Sequence, residues 1–268
     1  MKTAVLISSC DAFYDCWAPM IYSLKKYWPD CPFPIYFISN FNKIDDEKIK
    51  FINVGEDKGF ASNLGFALNK IECDFIIYFQ EDYFLINDVN TEAIQKHINH
   101  CIENNIGFLK MHGNDFLLRD NNRINDSDYC KNPIDVRYSI NTSVAIWERE
   151  TLAKLCVEDY SGWDWERNII SFIKKNGIEI NSEMLHSSCY KEKGIISLPG
   201  GAVAKGNWTQ NGVTFLRKYG FNEVIENRKV EGKFITRLGG FYNRHPKSVL
   251  RFPIVIVLRL LLKYKINI

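Results

Sequence analysis

The strongest constraint on this chain is an alternation packed into its N-terminal third. The apolar runs TAVLISS (3–9), PIYFISN (34–40), KIKFINVG (48–55) and DFIIYFQ (74–80) have the length and the residue types of strands. FYDCWAPMIYSLKKYW (13–28) carries apolar residues at helical spacing, and GFASNLGFALNKI (59–71) puts Phe60, Leu64, Ala67 and Leu68 on one side of a helix. Strand, helix and strand in repetition need right-handed crossovers. The pattern therefore predicts an α/β fold, with a mainly parallel, Rossmann-like central sheet and helices on both faces. Further on, a helix is expected at about 91–104 and a strand in IGFLKMHG (106–113). The Asn- and Asp-rich stretch 114–133 reads as a loop. SINTSVAIWE (139–148) resumes strand character, RETLAKLC (149–156) is helical, and WERNIISFIKKNG (165–177) is a helix closed by Gly177.

With 46% hydrophobic and 14% aromatic residues among 268, the chain has material for a large core. It shows no repeat, low-complexity tract or Gly/Ser linker. One domain over 1–240 is expected, with halves at about 1–115 and about 116–240, plus a C-terminal helical appendage at 241–268. The formal net charge is +2, which gives no general case for nucleic-acid binding. The eight cysteines form no CxxC pair, so a structural zinc site is not expected. The N-terminal apolar run breaks at Ser8, Ser9, Cys10 and Asp11, too early for a secretory leader. The expectation is a cytoplasmic protein with reduced thiols, in which NDS, NTS and NWT are not glycosylated. The tail VLRFPIVIVLRLLLKYKINI is interrupted by Arg251, Arg259, Lys263 and Lys265. That suits a helix docked on the core or lying on an anionic membrane surface, not a membrane span.

The fourth strand ends on two adjacent acids, Glu81 and Asp82, in DFIIYFQEDYFLI. In a parallel sheet, ligands collect beyond the carboxyl ends of the strands. Adjacent carboxylates repel, and a Mg²⁺ or Mn²⁺ held between them and a diphosphate would compensate. The first strand ends on SSCD, where Ser8, Ser9 and Asp11 can reach a base or ribose, and GEDKGFASN offers Lys58, Gly59 and Asn63 at the same edge. Each feature taken singly has a plainer reading. The acid pair suits a solvated turn, and Asp11 suits a helix cap.

VLISSCDAF, KGFASNLGFAL, FQEDYFL, SVAIWERETL, GWDWE and GAVAKGNW, in that order over about residues 3–220, resemble the GT-A glycosyltransferases, in particular small bacterial enzymes that build surface polysaccharides. The resemblance implies a nucleotide-diphosphate sugar donor, with UDP favoured, a Mn²⁺ or Mg²⁺ at the counterpart of the family's Asp-X-Asp motif, and sugar transfer to a hydroxyl of a glycan or lipid-linked glycan. It makes 1–115 a donor half and 116–240 an acceptor half, and the tail would keep the enzyme peripheral on the inner membrane face. Here Gln80, Glu81, Asp82 and Tyr83 replace the two acids spaced by one residue. Asp82 is the expected metal ligand, Glu81 and a late His186 are further candidates, and a metal-independent reaction stays open.

Inverting transfer needs a carboxylate to take the acceptor's proton, a retaining one does not need it as a base, and the sequence leaves both open. Glu166 and Asp164 lie beside Trp163 and Trp165, whose faces can stack on sugar rings. The resemblance makes the acid at this helix start the base, with Glu166 the choice, and it folds the loop of Lys205 over the departing diphosphate. The competing assignment has Asp164 as a cap, Glu166 facing the helix dipole, both tryptophans in the core, and Lys205 on an ordinary turn. Two rival functions remain, a nucleotidyltransferase and a non-catalytic carbohydrate-binding protein. SSCDAF lacks the Gly- and Lys/Arg-rich loop of the former.

Overall fold

The computed structural model describes residues 1–111, 128–134, 139–156, 160–188 and 200–231. The apolar runs become β1 (Thr3–Ser8), β2 (Ile35–Ser39), β3 (Ile49–Asn53) and β4 (Phe75–Gln80), with α1 (Tyr14–Tyr27) and α2 (Phe60–Leu68) between them. There follow α3 (Thr91–Glu103), β5 (Phe108–Lys110), β6 (Tyr129–Lys131), β7 (Ala145–Glu148), α4 (Arg149–Lys154), α5 (Gly162–Lys175) and β8 (Leu185–Ser188). Eight strands form one sheet in the order β3-β2-β1-β4-β7-β5-β8-β6. β3, β2, β1 and β4 run parallel, as do β5 and β8. β7 lies antiparallel between β4 and β5, and β6 lies antiparallel to β8.

The period-two alternation of the strands divides the core. Val5, Ile7, Ile77 and Phe79 face one layer with Trp17 and Met20 of α1 and with Ile94 and Ile98 of α3. Ala4, Leu6, Ile76 and Tyr78 face the other, with Leu64 and Leu68 of α2, Leu152 of α4, and Trp165 and Ile169 of α5. The central strands are buried on both faces, which is why they read as continuous apolar runs and not as alternating ones. Each fully buried Ile, Leu or Phe contributes about 1.5–3 kcal/mol of transfer free energy, so β1 and β4 are the most firmly held part of the sheet.

Several elements depart from expectation. β6 falls inside the stretch read as a loop, and β8 carries the polar run LHSS yet is buried throughout. Its polar groups are hydrogen-bonded: Ser187 Oγ donates to Asn132 Oδ1 at 2.8 Å, and the His186 and His100 rings are bonded at 3.0 Å. A hairpin of β9 (Val203–Ala204) and β10 (Asn207–Trp208), then α6 (Gln210–Lys218) and α7 (Asn222–Ile225), follow where no element was expected. Val213, Phe215 and Leu216 of α6 join the α1–α3 layer. Cys10, Cys16, Cys31, Cys73, Cys101 and Cys156 are free, whereas Cys130 is disulfide-bonded, against the expectation of reduced thiols. Among the described residues, no helix is long and apolar enough to cross a membrane. The tail 241–268 and residues 114–127 of the expected loop lie outside them.

Candidate functional site

The strand order reverses between β1 and β4, so the chain leaves these two neighbours in opposite directions and a crevice opens beyond their carboxyl ends. Ser8 and Gln80 are register partners there, and Glu81 N donates to Ser8 O at 3.3 Å. A cavity of about 700 Å³ occupies this position, floored by Ser8, Ser9 and the Gln80–Tyr83 turn. Asp57, Gly59 and Asn63 form one wall, Thr142, Trp163 and Glu166 another, and the β9–β10 hairpin with Lys205 overhangs it.

The acid pair sits at the base. Glu81 and Asp82 are 8% and 7% exposed, so neither is a solvated turn residue. Burial, followed by the charge of Asp82, pushes the Glu81 carboxyl well above the usual carboxylate range. Burial pushes Asp82 up to about 6, against donors that favour its ionised form. The foremost of those donors comes from the hairpin, and the preceding residue bonds the Asp82 backbone. Val203 N donates to Asp82 Oδ2 at 3.0 Å, and Ala202 N donates to Asp82 O at 2.9 Å. A Cβ on Gly201 would lie 2.7 Å from Asp82 Oδ2, so only glycine admits this approach. Asp82 thus stitches the overhanging loop to the strand end, a role that sequence reasoning did not assign to it.

Lys205 (φ 50°) and Gly206 (φ 78°) form the tip of the hairpin, the left-handed pair typical of a two-residue turn. The tip holds Lys205 at the cavity wall. Behind the carboxylates, Arg228 binds Asp15 through two bonds, at 2.6 and 2.7 Å, donates to Ala12 O at 2.9 Å, and lies over the rings of Phe13 and Trp208. Its charge eases ionisation of both Glu81 and Asp82.

The remaining expected residues divide. Ser9 lines the cavity and accepts from Trp17 Nε1 at 2.8 Å, which ties it to α1. Gly59 (φ 89°) and Asn63 line it too. Asn63 Nδ2 and Gly59 N both donate to Asp57 Oδ1, at 2.7 and 2.9 Å, so Asp57 organises this wall. Lys58 is exposed and lies outside the lining. Asp11 does not cap α1 and does not face the cleft. Its carboxylate accepts from the backbone N of Asn40, Phe41 and Asn42 and from Asn42 Nδ2, at 2.8 to 3.1 Å, clamping the loop after β2.

Glu166 faces the cavity, and its Oε1 accepts from Thr142 N at 2.7 Å and from Thr142 Oγ1 at 2.6 Å. Asp164 faces away. Ser161 and then Arg167 hold its carboxyl below the usual range, and the Ser161 side chain caps α5 by accepting from Asp164 N at 3.2 Å. The two tryptophans part company. Trp163 is 63% exposed at the cleft mouth, and Trp165 is 1% exposed, its Nε1 donating to Leu155 O at 2.8 Å. His186 is remote from the acid pair. It is packed against His100 on the α3 side of β8, and burial lowers it to about 4. Among the described residues, no group of three or more His, Cys, Asp or Glu side chains is placed to hold a metal. Sequence reasoning gave no role to Thr142, Asp57, Tyr83 and Arg228, although Asp57 and Tyr83 lie within GEDKGFASN and FQEDYFL.

No family model matches the sequence, and no curated protein does. The chain is similar to solved structures of Staphylococcus aureus TarS. One in complex with UDP is 12% identical over 63% of this chain and 54% of that one, at TM-score 0.43. Another, in complex with UDP-GlcNAc, is 12% identical over 72% and 57%, at TM-score 0.41. A cytidylyltransferase from Leptospira borgpetersenii is 12% identical over 87% of this chain and 100% of that one, at TM-score 0.42. The chain spans little more than half the length of those TarS fragments. These likenesses are distant. The Rossmann-like α/β fold stands on the strand order and register described above, and no residue role rests on the comparisons.

Proposed function

We propose that this protein is a glycosyltransferase that moves a sugar from a nucleotide-diphosphate donor, a UDP-sugar, to a hydroxyl of a glycan or lipid-linked glycan, as in bacterial surface polysaccharide synthesis. One observation carries the reading. The cleft at the switch point unites a buried acid pair, a lysine on the hairpin tip and a separately held carboxylate, Glu166. Ser8, Ser9, Gly59 and Asn63 would receive the nucleoside. Lys205 would meet the diphosphate as a point charge. Glu166 would take the proton from the acceptor hydroxyl while the anomeric carbon gains positive character and the bond to the diphosphate breaks, with inversion. Such a base contributes about 10²–10⁴-fold.

The residues suit a divalent metal of the hard, oxygen-binding kind. Burial and the charge of Asp82 raise the proton affinity of Glu81, and among the described residues no side chain donates to Glu81, so a cation shared with donor phosphates would relieve the pair. Asp82 and Glu81 would hold Mn²⁺ or Mg²⁺, which when bound supplies charge stabilisation for the leaving diphosphate. His186 is too far removed in the fold to join them. Lys205 is the single lysine or arginine among the described lining residues, and the loop after β1 brings no cation to the floor. This favours sugar transfer over nucleotidyl transfer, where cations on that loop would grip a triphosphate.

Calorimetric titration with UDP, GDP, CMP and dTDP, each with Mn²⁺ and with EDTA, tests the donor site. Selective UDP binding that needs metal and is lost in Asp82→Asn is expected, and no nucleotide binding would sink the proposal. Glu166→Gln separates catalysis from mere glycan binding, since it should abolish turnover and leave UDP affinity intact.

A further inference from the structure

Glu166 does not sit free on the cleft wall. One carboxylate oxygen is bonded twice by one residue, at 2.7 Å from Thr142 N and 2.6 Å from Thr142 Oγ1. Thr142 lies on the short segment leading into β7, and its neighbours two residues either side are fully buried in opposite layers, Ile140 in that of α2 and α5, Val144 in that of α1 and α3. Met111 N donates to Val144 O at 3.0 Å and ties this segment to the strand beside it. Thr142 itself is 6% exposed. A buried side chain on a segment anchored in both layers has little freedom, and neither has an oxygen bonded to it twice.

We propose that Thr142 is a positioning residue, locking Glu166 so that Oε1 is saturated and Oε2 alone is presented to the acceptor hydroxyl, an inference that rests on the reading of Glu166 as the base. A free glutamate at this position of α5 would sample several rotamers, only some aimed into the cleft. The clamp removes that freedom before substrate arrives, the kind of preorganisation in which a misplacement of about 1 Å costs on the order of 10²-fold in rate. Thr142 also lines the cavity, and in this proposal its hydroxyl acts through Glu166. The backbone N–H of residue 142 remains whatever side chain is present, so the hydroxyl is the part that mutation can remove.

The test is a set of variants assayed for UDP release from UDP-glucose, UDP-galactose and UDP-GlcNAc, with methyl glycosides as acceptors. Thr142→Val replaces the hydroxyl by a methyl that cannot approach Oε1 so closely, and kcat is expected to fall roughly 10- to 100-fold with the donor KM within about twofold. Thr142→Ser keeps the hydroxyl and should recover kcat to within about threefold of wild type. In a Glu166→Gln background, Thr142→Val should cause no further loss, because the two act as one unit. Thr142→Ala provides a second removal of the hydroxyl without the methyl contact, should the valine variant not fold.

A Thr142→Val or Thr142→Ala enzyme with kcat near wild type, beside an inactive Glu166→Gln, overturns the positioning role and leaves the base reading standing. So does equal loss in valine and serine variants. An active Glu166→Gln overturns the base reading itself, as does the absence of UDP release by wild type from every donor in the panel.

Discussion

Raising the pH should destabilise the ligand-free protein through Asp82, and Asp82→Asn should remove that part of the pH dependence. Burial pushes the Asp82 carboxyl from its ordinary 3.8 up to about 6. The folded protein therefore holds this proton more tightly than the unfolded chain does. Its stabilising effect is complete below about pH 4 and is lost as pH rises through about 6. At about 1.4 kcal/mol for each tenfold change in proton affinity, the gap between 3.8 and about 6 is worth about 3 kcal/mol. For a chain of this size that is about 6–12 °C in Tm. Glu81, pushed up by burial and by Asp82, adds in the same direction. The assay is thermal melting of wild type and Asp82→Asn from pH 4 to 8 in EDTA. Wild type should lose ground to the variant as pH rises through about 6 and stay behind it above. Parallel Tm curves would refute the account, because they would mean the acid pair is hydrated enough to ionise at no cost.

Asp11→Ala strips the acceptor from four donors of the loop after β2 and should cost about 2–4 kcal/mol in urea unfolding, with UDP affinity changed less than stability. Trp163→Ala should leave stability within about 0.5 kcal/mol and raise the acceptor KM roughly tenfold, whereas Trp165→Ala should cost about 3–5 kcal/mol in the same unfolding assay. Gly212→Ala sets a Cβ 2.5 Å from Ala202 O, so α6 must shift from the loop held by Asp82; a loss of about 1–3 kcal/mol, with weaker nucleotide binding by calorimetry, is expected.

The residues of the cleft floor were legible because they obey local rules. A strand buried on both faces must read as an unbroken apolar run, so DFIIYFQ announces a central strand, and the acids after it can only emerge at its carboxyl end. Glu166 was legible in the same way, since the start of a helix is marked by its own composition. Asp11 was expected to reach a base or ribose, with a helix cap as the plainer reading, and nothing local reveals that the donors it satisfies lie about thirty residues on.

By itself, then, the sequence determined the α/β class, the order of β1 to β4 with their helices, and the edge at which polar residues gather, all of which follow from periodicity and burial along a short stretch of chain. Tertiary structure decided everything that depends on which face meets which neighbour. Residues two apart on a helix point about 200° from one another, so one tryptophan of the Trp163–Trp165 pair had to turn inward, but only the packing of α5 against α2 and β7 chose Trp165. The same holds for His186, drawn to His100 and away from the acids, for Arg228, brought back onto Asp15 from more than two hundred residues away, and for Thr142, whose grip on Glu166 spans 24 residues. Such contacts are set by the closing of the sheet and its layers, and no pattern in the chain records them beforehand.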